Sequence, residues 1–314
     1  MQVLTGILFT GGGGAGNEAI FSLWRDKYNL YFADTDVGGI SPTIPLEHQY
    51  SIPMAHDPSF VEAVATICTE ANIDVLVPGV DEELSKMKDV QALIKNIGIL
   101  MPNSKFVSST VDKLVTSSAL DKVGIDSPKT AALQSENIAA LDYPCIAKPR
   151  FGRGSRGLRI ISSQQEAICF AELCSISGED YVIQEYLDGS EFTVLLAANA
   201  RSQLRCVVPV RVFIKRGVTI YGEVVEDDEV TDYCRKIHEG LSGSACYNVQ
   251  LIKTTSGRIA AFEVNPRVST TFCLGVAAGV DPIDIFTSET DGTELLPFQA
   301  GLSLRRYYMN KFHG

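Results

Sequence analysis

The polar side chains with the best spacing for chemistry lie in the stretch 247–269, which reads YNVQLIKTTSGRIAAFEVNPRVS. This pattern predicts two short strands joined by a two-residue turn at 256–257, because glycine tolerates positive φ. With that turn, Gln250 lies opposite Glu263, and the alternation of side chains along a strand puts Asn265 on the same face. An ordinary hairpin with a polar outer face would show the same pattern, and a register shift of one residue would remove Gln250 from the group.

These three side chains offer one carboxylate and two amide oxygens. A hard divalent cation such as Mg²⁺ prefers oxygen ligands, and it usually keeps waters and substrate phosphates as well. We therefore predict a Mg²⁺ site here, with Mn²⁺ as an alternative ion. Arg267 follows directly after Pro266, at the edge of this group.

A cationic, glycine-rich segment follows a predicted strand in the middle of the chain. Residues 148–157 read KPRFGRGSRG, with four cations within nine residues of a chain whose net charge is −11. Such a loop could close over a polyphosphate, because arginine side chains and glycine backbone N–H groups both bind phosphate oxygens. A basic turn exposed to solvent is the alternative, and the charge contrast favours the functional interpretation.

Four consecutive glycines form another turn near the N-terminus. The run GGGGAG at 11–16 follows an apolar strand and precedes an apolar helix, and Asp34 comes about 23 residues after Gly11. Formally this fits the dinucleotide fingerprint, which would make the protein an NAD(P)-dependent oxidoreductase. A close-packed strand–helix turn needs glycines without any cofactor. We favour that structural interpretation. A loop that binds a small substrate is the next alternative, ahead of dinucleotide binding.

Composition and the absence of other motifs exclude several classes of protein. The chain has 314 residues, 45% hydrophobic and 21% charged, as in a soluble globular protein of two or three domains. Its net charge of −11 argues against nucleic acid or an anionic membrane surface as the main partner. No Walker A, HRD, DFG, HExxH or G-x-S-x-G motif occurs. Ser155 is therefore predicted to be a loop or phosphate-contacting residue and not a nucleophile.

The eight cysteines are scattered without a CxxC pair, and several sit inside apolar runs. We expect reduced core thiols here, with neither disulfides nor a zinc site. The sequence contains no signal peptide and no stretch of transmembrane length, so we expect a cytoplasmic protein without a membrane partner.

Strands and helices alternate over the first hundred residues or so, which predicts an open α/β sheet with helices on both faces. From residue 108 onward a helix and a small segment of short strands lead into long strands, which suggest an antiparallel sheet that includes the hairpin. The predicted elements are strands at 3–10, 29–33, 74–78, 145–148, 158–161, 181–187, 191–198 and 204–214, a helix at 110–123, a capping box at 163–166 and a solvated acidic turn at 226–229.

Five segments follow one another in the chain: DK at 112–113, KPRFGRGSRG at 148–157, QEYLDGSEF at 184–192, NVQL at 248–251 and FEVNPRVS at 262–269. In this order they resemble the ATP-grasp superfamily, and most closely one synthetase half of the carbamoyl phosphate synthetase large subunit. The resemblance spans about half the chain. It implies an ATP-grasp fold (α/β and α+β) with a Rossmann-like parallel sheet in residues 1–108, a linker helix and small mobile lid subdomain in 109–187, and an antiparallel catalytic subdomain in 188–314.

The resemblance also implies ATP and Mg²⁺ as cofactors and a role for each matching residue. Arg211, on a strand that faces this region, is a weaker phosphate candidate. The other implied roles are phosphate contacts for Lys113 and Lys148, a mobile loop containing Gly152, Gly154 and Ser155, adenine recognition by Glu185 and the backbone of Leu187, ribose recognition by Glu191, Mg²⁺ ions held by Gln250, Glu263 and Asn265, and stabilisation of the transferring phosphoryl group by Arg267.

By the same resemblance, the reaction is an ADP-forming ligation. A small carboxylate attacks the γ-phosphate of ATP, and an amine then captures the acyl phosphate to form an amide, peptide or other C–N bond. After Arg267 the chain reads VSTT where the synthetase has Ser-Arg, and it ends at Gly314 without a second synthetase half. We therefore predict a stand-alone carboxylate–amine ligase, with a non-catalytic nucleotide-binding module as a further alternative.

Residues for the acid and the amine are predicted from the usual place of ligands in open α/β sheets, outside the carboxyl ends of the strands. Gly13, Asp81 and Glu82 follow predicted strands in this way. The identity of both substrates and the oligomeric state stay open at this stage, with a homodimer as one option.

Overall fold

The computed structural model describes residues 4–134, 136–178, 180–308 and 310, and within them the strands form three sheets. The predicted start of the first strand at residue 3 lies outside the described residues. The strands are β1 (Gly6–Thr10), β2 (Asn29–Asp34), β3 (Gln49–Ser51), β4 (Val75–Val77), β5 (Gly98–Ile99), β6 (Thr130–Ala132), β7 (Cys145–Pro149), β8 (Arg159–Ile161), β9 (Tyr181–Glu185), β10 (Gly189–Ala198), β11 (Leu204–Arg216), β12 (Val218–Val224), β13 (Cys246–Thr254), β14 (Ile259–Asn265) and β15 (Ser303–Arg305).

Helices cover the faces of these sheets. In the part of the chain that the structure describes, none of them is long and apolar enough to cross a membrane. The α-helices are α1 (Asn17–Trp24), α2 (Phe60–Glu70), α3 (Met87–Leu93), α4 (Ser104–Thr110), α5 (Lys113–Lys122), α6 (Gln164–Ser177), α7 (Asp228–Gly240), α8 (Phe272–Ala277) and α9 (Pro282–Thr287), and short 3₁₀ helices cover Val37–Gly39, Leu46–His48, Asp81–Lys86 and Glu136–Ala140.

The N-terminal sheet is parallel, with strand order β3-β2-β1-β4-β5. The central strand β1 is buried along its whole length, because apolar clusters cover both faces of the sheet. The predicted open α/β sheet is confirmed. The carboxyl ends of β1, β2 and β4 meet at one edge, and the turns that follow them are Gly11–Gly16 (GGGGAG), Thr35–Asp36 and Pro78–Asp81.

The small sheet has the order β6-β9-β7-β8 and is antiparallel throughout. Helix α6 packs against it, and Ser163 caps this helix as predicted, while Glu166 bonds to the residue before the cap. Ser163 Oγ accepts a hydrogen bond from the Glu166 N–H at 3.2 Å, and Glu166 Oε2 accepts one from the Ser162 N–H at 2.8 Å. The loop between β7 and β8, residues 150–158, contains the glycines and arginines of the cationic segment, and we call it the glycine loop.

The large antiparallel sheet has the order β14-β13-β10-β11-β12-β15, so the predicted hairpin forms one edge of it. Side chains of β10 alternate between its two faces. Leu195 and Ala197 join the apolar cluster that contains α1, α8 and β1, whereas Val194 and Leu196 join the cluster that contains α4, α5 and α7. One apolar cluster, which includes residues of α1 and α8, therefore connects the large sheet with the N-terminal sheet.

Two predictions for elements beside this sheet need correction. The helix predicted at 110–123 is α5, which begins three residues later, because Thr110 ends α4 and Asp112 caps α5 by accepting a hydrogen bond from the Leu114 N–H at 2.9 Å. The acidic run at 226–229 is not a solvated turn. Asp227 caps α7, since its Oδ1 accepts a hydrogen bond from the Val230 N–H at 3.1 Å.

Candidate active site

A cleft of about 1680 Å³ is lined by residues from all three sheets. Its size exceeds the roughly 300–1,000 Å³ that is typical of a pocket for one small ligand. Asp81 and Arg211 do not line it. The predicted site residues that do line it are Gly13, Glu82, Lys113, Lys148, Gly152, Gly154, Ser155, Glu185, Leu187, Glu191, Gln250, Glu263, Asn265 and Arg267.

The predicted register of the hairpin is confirmed at the site itself. Gln250 lies directly opposite Glu263, and Asn265 is two residues further along β14 on the same face. All three side chains line the cleft. We call Gln250, Glu263 and Asn265 the oxygen cluster.

The turn of the hairpin, however, differs from the prediction. Thr254 and Arg258 close a three-residue loop in which Gly257 has φ +86°, in place of the predicted two-residue turn. That loop offsets the pairing by one residue. A β-bulge at Phe262, the extra residue between the pairs Gln250–Glu263 and Leu251–Ala261, cancels the offset.

The bulge also positions Lys148. The Lys148 ammonium donates to the carbonyl of Phe262 at 3.1 Å and to Gln184 Oε1 at 2.9 Å, and it lies 5.2 Å from the centre of the Phe262 ring. Burial lowers the pKa of Lys148 to about 8, and the nearby Glu263 carboxylate opposes that shift. A cation is thus fixed beside the oxygen cluster with little access to bulk solvent.

Lys113 reaches the cleft from the first turn of α5. Asp112, the cap of that helix, accepts hydrogen bonds from Arg150 Nε at 2.9 Å and so ties the helix to the base of the glycine loop. The Lys113 ammonium donates to the carbonyl of Gly152 at 2.9 Å and lies 3.9 Å from Glu263 Oε1. Lys113 therefore bridges the glycine loop and the oxygen cluster.

The glycine loop extends across the cleft towards the N-terminal sheet. Arg153 Nη2 lies 3.5 Å from Glu82 Oε2, and Arg150 pairs with Asp180 at 3.1 Å. Both arginines thus have carboxylate partners. Gly152 has φ +104°, a conformation that favours glycine because it has no Cβ.

Glu185 opens the segment 185–187 that joins the small sheet to the large one, which we call the hinge segment. Its carboxylate pairs with Arg258, at 2.6 Å between Nη1 and Oε1, and also accepts a hydrogen bond from the Lys129 N–H at 3.0 Å. Burial raises the pKa of Glu185, but the bonds from Arg258 and Lys129 outweigh burial and leave the pKa below its usual value. Sequence reasoning did not find Arg258, whose only sequence signal is its place directly after Gly257.

Lys215 is a cation of the cleft that sequence reasoning missed. Its ammonium donates to Gln250 Oε1 at 2.8 Å, pairs with Glu191 and lies 5.4 Å from the centre of the Phe262 ring. It thereby connects the oxygen cluster with the residue predicted to read the ribose.

The structure does not bring Arg211 into the cleft with the other predicted residues. Arg211 is the cross-strand neighbour of Phe192, so its side chain lies on the sheet face opposite to that of Glu191. Its guanidinium donates a hydrogen bond to Ser190 Oγ at 3.0 Å. A bulge between Val212 and Ile214 reverses the alternation of side chains along β11. Lys215, which follows the bulge, therefore faces the cleft, whereas Arg211, which precedes it, does not.

Asp81, predicted as a substrate residue, pairs instead with Arg267. Arg267 Nε lies 2.6 Å from Asp81 Oδ1, and its Nη1 donates to the carbonyl of Val268 at 3.0 Å. Arg267 is buried apart from the edge that lines the cleft. The pair therefore fixes this guanidinium between the large sheet and the N-terminal sheet.

Three backbone donors of the glycine turn at 11–16 are already bonded, two of them to β2 and one within the turn. A pyrophosphate bound there would have to replace these bonds and would meet the carboxylate of Asp34. This arrangement favours the structural interpretation over dinucleotide binding. The bonds run from the Gly12 N–H to Ala33 O at 2.9 Å, from the Gly13 N–H to Asp34 Oδ2 at 2.8 Å and from the Gly14 N–H to Gly11 O at 2.9 Å.

Glu83 is a buried carboxyl group at the N-terminal end of the cleft, and sequence reasoning did not single it out. Its Oε2 accepts a hydrogen bond from Thr10 Oγ1, and burial raises its pKa to about 7. Asp34 and Glu82 line the same end. Three carboxyl groups therefore gather at the end of the cleft near the parallel sheet, whereas Lys113, Lys148 and Lys215 lie beside the oxygen cluster.

The oxygen cluster fits a Mg²⁺ ion in its chemistry. It presents oxygen donors on one face of the hairpin, and lysines beside it could receive the phosphates that usually complete a Mg²⁺ shell. Among the described residues, no group of three or more His, Cys, Asp or Glu side chains could hold a metal. A metal in this cleft would thus depend on one carboxylate, two amides and the phosphates of a ligand.

Comparison with curated proteins finds relatives of low identity. The formate-dependent phosphoribosylglycinamide formyltransferase of Ignicoccus hospitalis is 25% identical over 284 residues, which cover 83% of this chain and 68% of that protein. A carbamoyl phosphate synthase large chain of Archaeoglobus fulgidus is 23% identical over 298 residues, covering 86% of this chain and 27% of that one. D-alanine–D-alanine ligase A of Bacillus cereus matches over 112 residues at 28% identity, covering 33% of this chain and 37% of the ligase. The chain thus spans only a minor part of several relatives.

Solved structures share the fold at lower identity still. The biotin carboxylase domain of the Hydrogenobacter thermophilus 2-oxoglutarate carboxylase, crystallised with MgADP and bicarbonate, aligns with a TM-score of 0.71 at 14% identity over 96% of this chain and 74% of that one. The N5-carboxyaminoimidazole synthetase of Staphylococcus aureus, complexed with ADP, aligns with a TM-score of 0.71 at 14% identity, covering 94% of this chain and 80% of that one.

A family model described as an ATP-grasp domain matches residues 110–271, which are 162 of the 314 residues. The match contains the glycine loop, the hinge segment and the oxygen cluster. It confirms the resemblance and the fold predicted from the sequence, and it supports an ATP-dependent ligase over the NAD(P)-dependent oxidoreductase. The chain belongs to the ATP-grasp domain family.

Proposed function

We propose that this protein is an ATP- and Mg²⁺-dependent ligase that activates a small carboxylic acid as an acyl phosphate and joins it to an amine, releasing ADP and phosphate. The observation that carries the proposal is the convergence of three kinds of group on one cleft. These are the oxygen cluster, the hinge segment and three lysines, which are Lys113, Lys148 and Lys215.

In this proposal the nucleotide lies between the small sheet and the large sheet. Lys113 and Lys148, which the carbonyls of the glycine loop and the bulge hold in place, would contact the phosphates. The glycine loop, with Gly152, Gly154 and Ser155, would close over them. The backbone of Leu187 would meet the adenine edge, and Glu191 the ribose hydroxyls. The lysines and the hinge segment support this assignment because they line the same cleft.

Gln250, Glu263 and Asn265 would hold the metal, and a bound Mg²⁺ supplies positive charge that neutralises the phosphate oxygens. The residues of the chain itself position groups and stabilise charge. Arg267, fixed by Asp81, would face the transferring phosphoryl group.

The chemistry follows from this arrangement in two steps. A carboxylate oxygen of the acid forms a bond to the γ-phosphorus of ATP while the bond to the leaving ADP oxygen breaks. The amine, after losing a proton, then attacks the acyl carbon, the bond from that carbon to the phosphate oxygen breaks so that inorganic phosphate leaves, and the nitrogen releases a further proton to solvent. Closure of the glycine loop would protect the acyl phosphate from water between the two steps.

The acidic end of the cleft would take the amine. Glu82 and Gly13 line this end, as predicted for substrate residues, and Asp34 and Glu83 add further carboxyl groups. Such an end favours a positively charged amine and disfavours an anionic acceptor. Asp81 would contribute only through Arg267.

Names of the similar proteins favour small acids. One of them is formate-dependent and another is a D-alanine–D-alanine ligase, so we propose an acid of comparable size. We also propose the domain boundaries 1–108, 109–187 and 188–314, which the three separate sheets support. A cytoplasmic location is proposed because the described cysteines form no disulfide. One similar structure is of a dimer; a homodimer of this chain is proposed and can be measured by light scattering.

Hydroxylamine trapping tests the activity. The protein is incubated with Mg-ATP, hydroxylamine and each member of a panel of small carboxylic acids, while ADP and hydroxamate are quantified. We expect ADP and a hydroxamate with at least one acid, and neither product from the Glu263→Ala variant. AMP in place of ADP, or no nucleotide cleavage with any acid and amine, would overturn the proposal.

A further inference from the structure

Arg258 connects parts of the chain that are far apart in sequence. All three of its guanidinium nitrogens are bonded. Nε and Nη2 donate to the Asp126 carboxylate at 2.7 and 2.9 Å, and Nη1 and Nη2 donate to the Glu185 carboxylate at 2.6 and 3.3 Å. Such paired, charge-assisted bonds fix geometry more strongly than a single contact does.

The two partners of Arg258 belong to the region where the small sheet joins the rest of the protein. Asp126 lies in the connection between α5 and β6, and its carbonyl accepts a hydrogen bond from Tyr233 Oη. Glu185 ends β9 and opens the hinge segment. Its backbone N–H donates to the carbonyl of Lys129 at 2.8 Å, and its Oε2 accepts from the Lys129 N–H at 3.0 Å. Arg258 therefore joins both strands of this connection to the β13–β14 hairpin.

The same hairpin carries the oxygen cluster. Arg258 begins the run into β14, and the carbonyl of Phe262, four residues later, accepts the bond from Lys148. The segment 258–262 thus contacts Lys148 through the carbonyl of Phe262 and the hinge segment through the side chain of Arg258. Arg258 itself does not line the cleft, whereas Glu185 and Leu187 do.

We infer that Arg258 is a positioning residue for the nucleotide base, which holds the hinge segment at a fixed distance from the oxygen cluster without touching ATP. This inference rests on the proposed ATP site. Because Arg258 and the Lys129 N–H already bind the Glu185 carboxylate, base recognition falls to the main chain of 185–187. Without Arg258, the Glu185 carboxylate would lose its cation and the hinge segment would lose its anchor.

Nucleotide binding by purified protein tests the inference. Arg258→Gln is expected to raise the Kd for Mg-ATP by roughly 2- to 30-fold, as changes at residues without ligand contact do, and to reduce the preference for ATP over GTP. The turnover number at saturating ATP should stay close to that of the wild type, because the phosphoryl-transfer groups are untouched. A role in stability alone would lower the melting temperature without changing the choice between ATP and GTP.

Two further variants sharpen the test. Arg201→Gln is the matched control, since Arg201 also pairs with an aspartate, Asp291, but lies outside the cleft; its Kd should equal that of the wild type. Adding Glu185→Gln to Arg258→Gln removes the unpaired charge, so the double variant should bind ATP better than the sum of the single effects predicts.

The outcomes separate this inference from the proposed function. Wild-type protein that binds no Mg-ATP overturns the ATP site and the inference together. Wild-type binding with an unchanged Kd and unchanged ATP preference in Arg258→Gln overturns the inference alone. If Arg258→Gln does not fold, Arg258→Lys takes its place, because one ammonium cannot reproduce the paired bonds that the guanidinium makes to both carboxylates. A Kd and nucleotide preference equal to the wild type would then overturn the inference.

Discussion

Arg267 and Asp81 are 186 residues apart in the chain, yet their side chains form an ion pair with 2.6 Å between Nε and Oδ1. Both side chains are largely buried. The pair joins the strand end that follows the oxygen cluster to the N-terminal sheet. A residue predicted for phosphoryl transfer and a residue predicted for substrate binding are thus one structural unit.

Replacing Asp81 by Asn should therefore impair catalysis more than nucleotide binding. Arg267 would keep its bond to Val268 but lose its orientation, and we expect a fall in turnover of roughly tenfold with little change in the Kd for ATP. Arg267→Met should reduce turnover further, by roughly 10²–10³, as removal of a transition-state donor does. Steady-state kinetics and calorimetry measure the two quantities. Weaker ATP binding with unchanged turnover in Asp81→Asn would contradict the assignment.

The two cations of β11 should differ in their effect on ATP binding. Lys215 contacts Gln250 and Glu191 inside the cleft, whereas Arg211 lies on the other face of the sheet. Lys215→Gln should weaken ATP binding by roughly tenfold, about 1.4 kcal/mol, and Arg211→Gln should leave it unchanged. Fluorescent-nucleotide titration of both variants provides an internal comparison. An equal loss in both would show that overall charge, and not position, governs binding.

Glu263 is the one carboxylate of the oxygen cluster, so its loss should change the Mg²⁺ requirement. Changing the groups that surround the ligands of a metal site typically weakens metal binding by roughly 10- to 100-fold. In Glu263→Gln we expect at least such an increase in the Mg²⁺ concentration that gives half-maximal ATP binding. Glu172→Gln, a change on the exposed surface of α6, is the control. An unaltered Mg²⁺ dependence would remove Glu263 from the metal site.

His238 should make stability depend on pH. Its Nδ1 lies 3.0 Å from Tyr247 Oη and its Nε2 3.0 Å from the carbonyl of Ser202, and burial lowers its pKa below the ordinary 6.5. The unfolded chain therefore binds a proton at a higher pH than the folded protein does. The contribution of His238 is fully present above pH 6.5 and is lost as the pH falls from there towards the lower folded-state pKa.

Urea unfolding between pH 5 and pH 8 measures this effect. The His238→Gln variant should be less stable at neutral pH, and its stability should fall less steeply below pH 6.5 than that of the wild type. His56→Gln serves as the control, because His56 is exposed. Identical pH profiles for His238→Gln and the wild type would refute the linkage.

Local patterns in the sequence determined most of the elements, and most of the site residues predicted from the sequence line the cleft. The predicted two-residue turn put Gln250 opposite Glu263, and alternation along β14 put Asn265 on the same face as Glu263, because side-chain direction in a strand depends on parity. The agreement was partly fortunate, since the longer turn and the bulge at Phe262 compensate each other. Lys113, Lys148 and the glycine loop were predicted because their motif segments are continuous in the chain.

Only the tertiary structure decided which charged groups pair. Arg258 meets Glu185 across 73 residues and Arg267 meets Asp81 across 186, and no local pattern encodes such approaches. The bulge in β11 likewise decided that Lys215 and not Arg211 enters the cleft, because one inserted residue reverses the faces of all that follow. Strand period and glycine conformation are local properties of the chain, whereas ion pairing depends on how separate sheets pack.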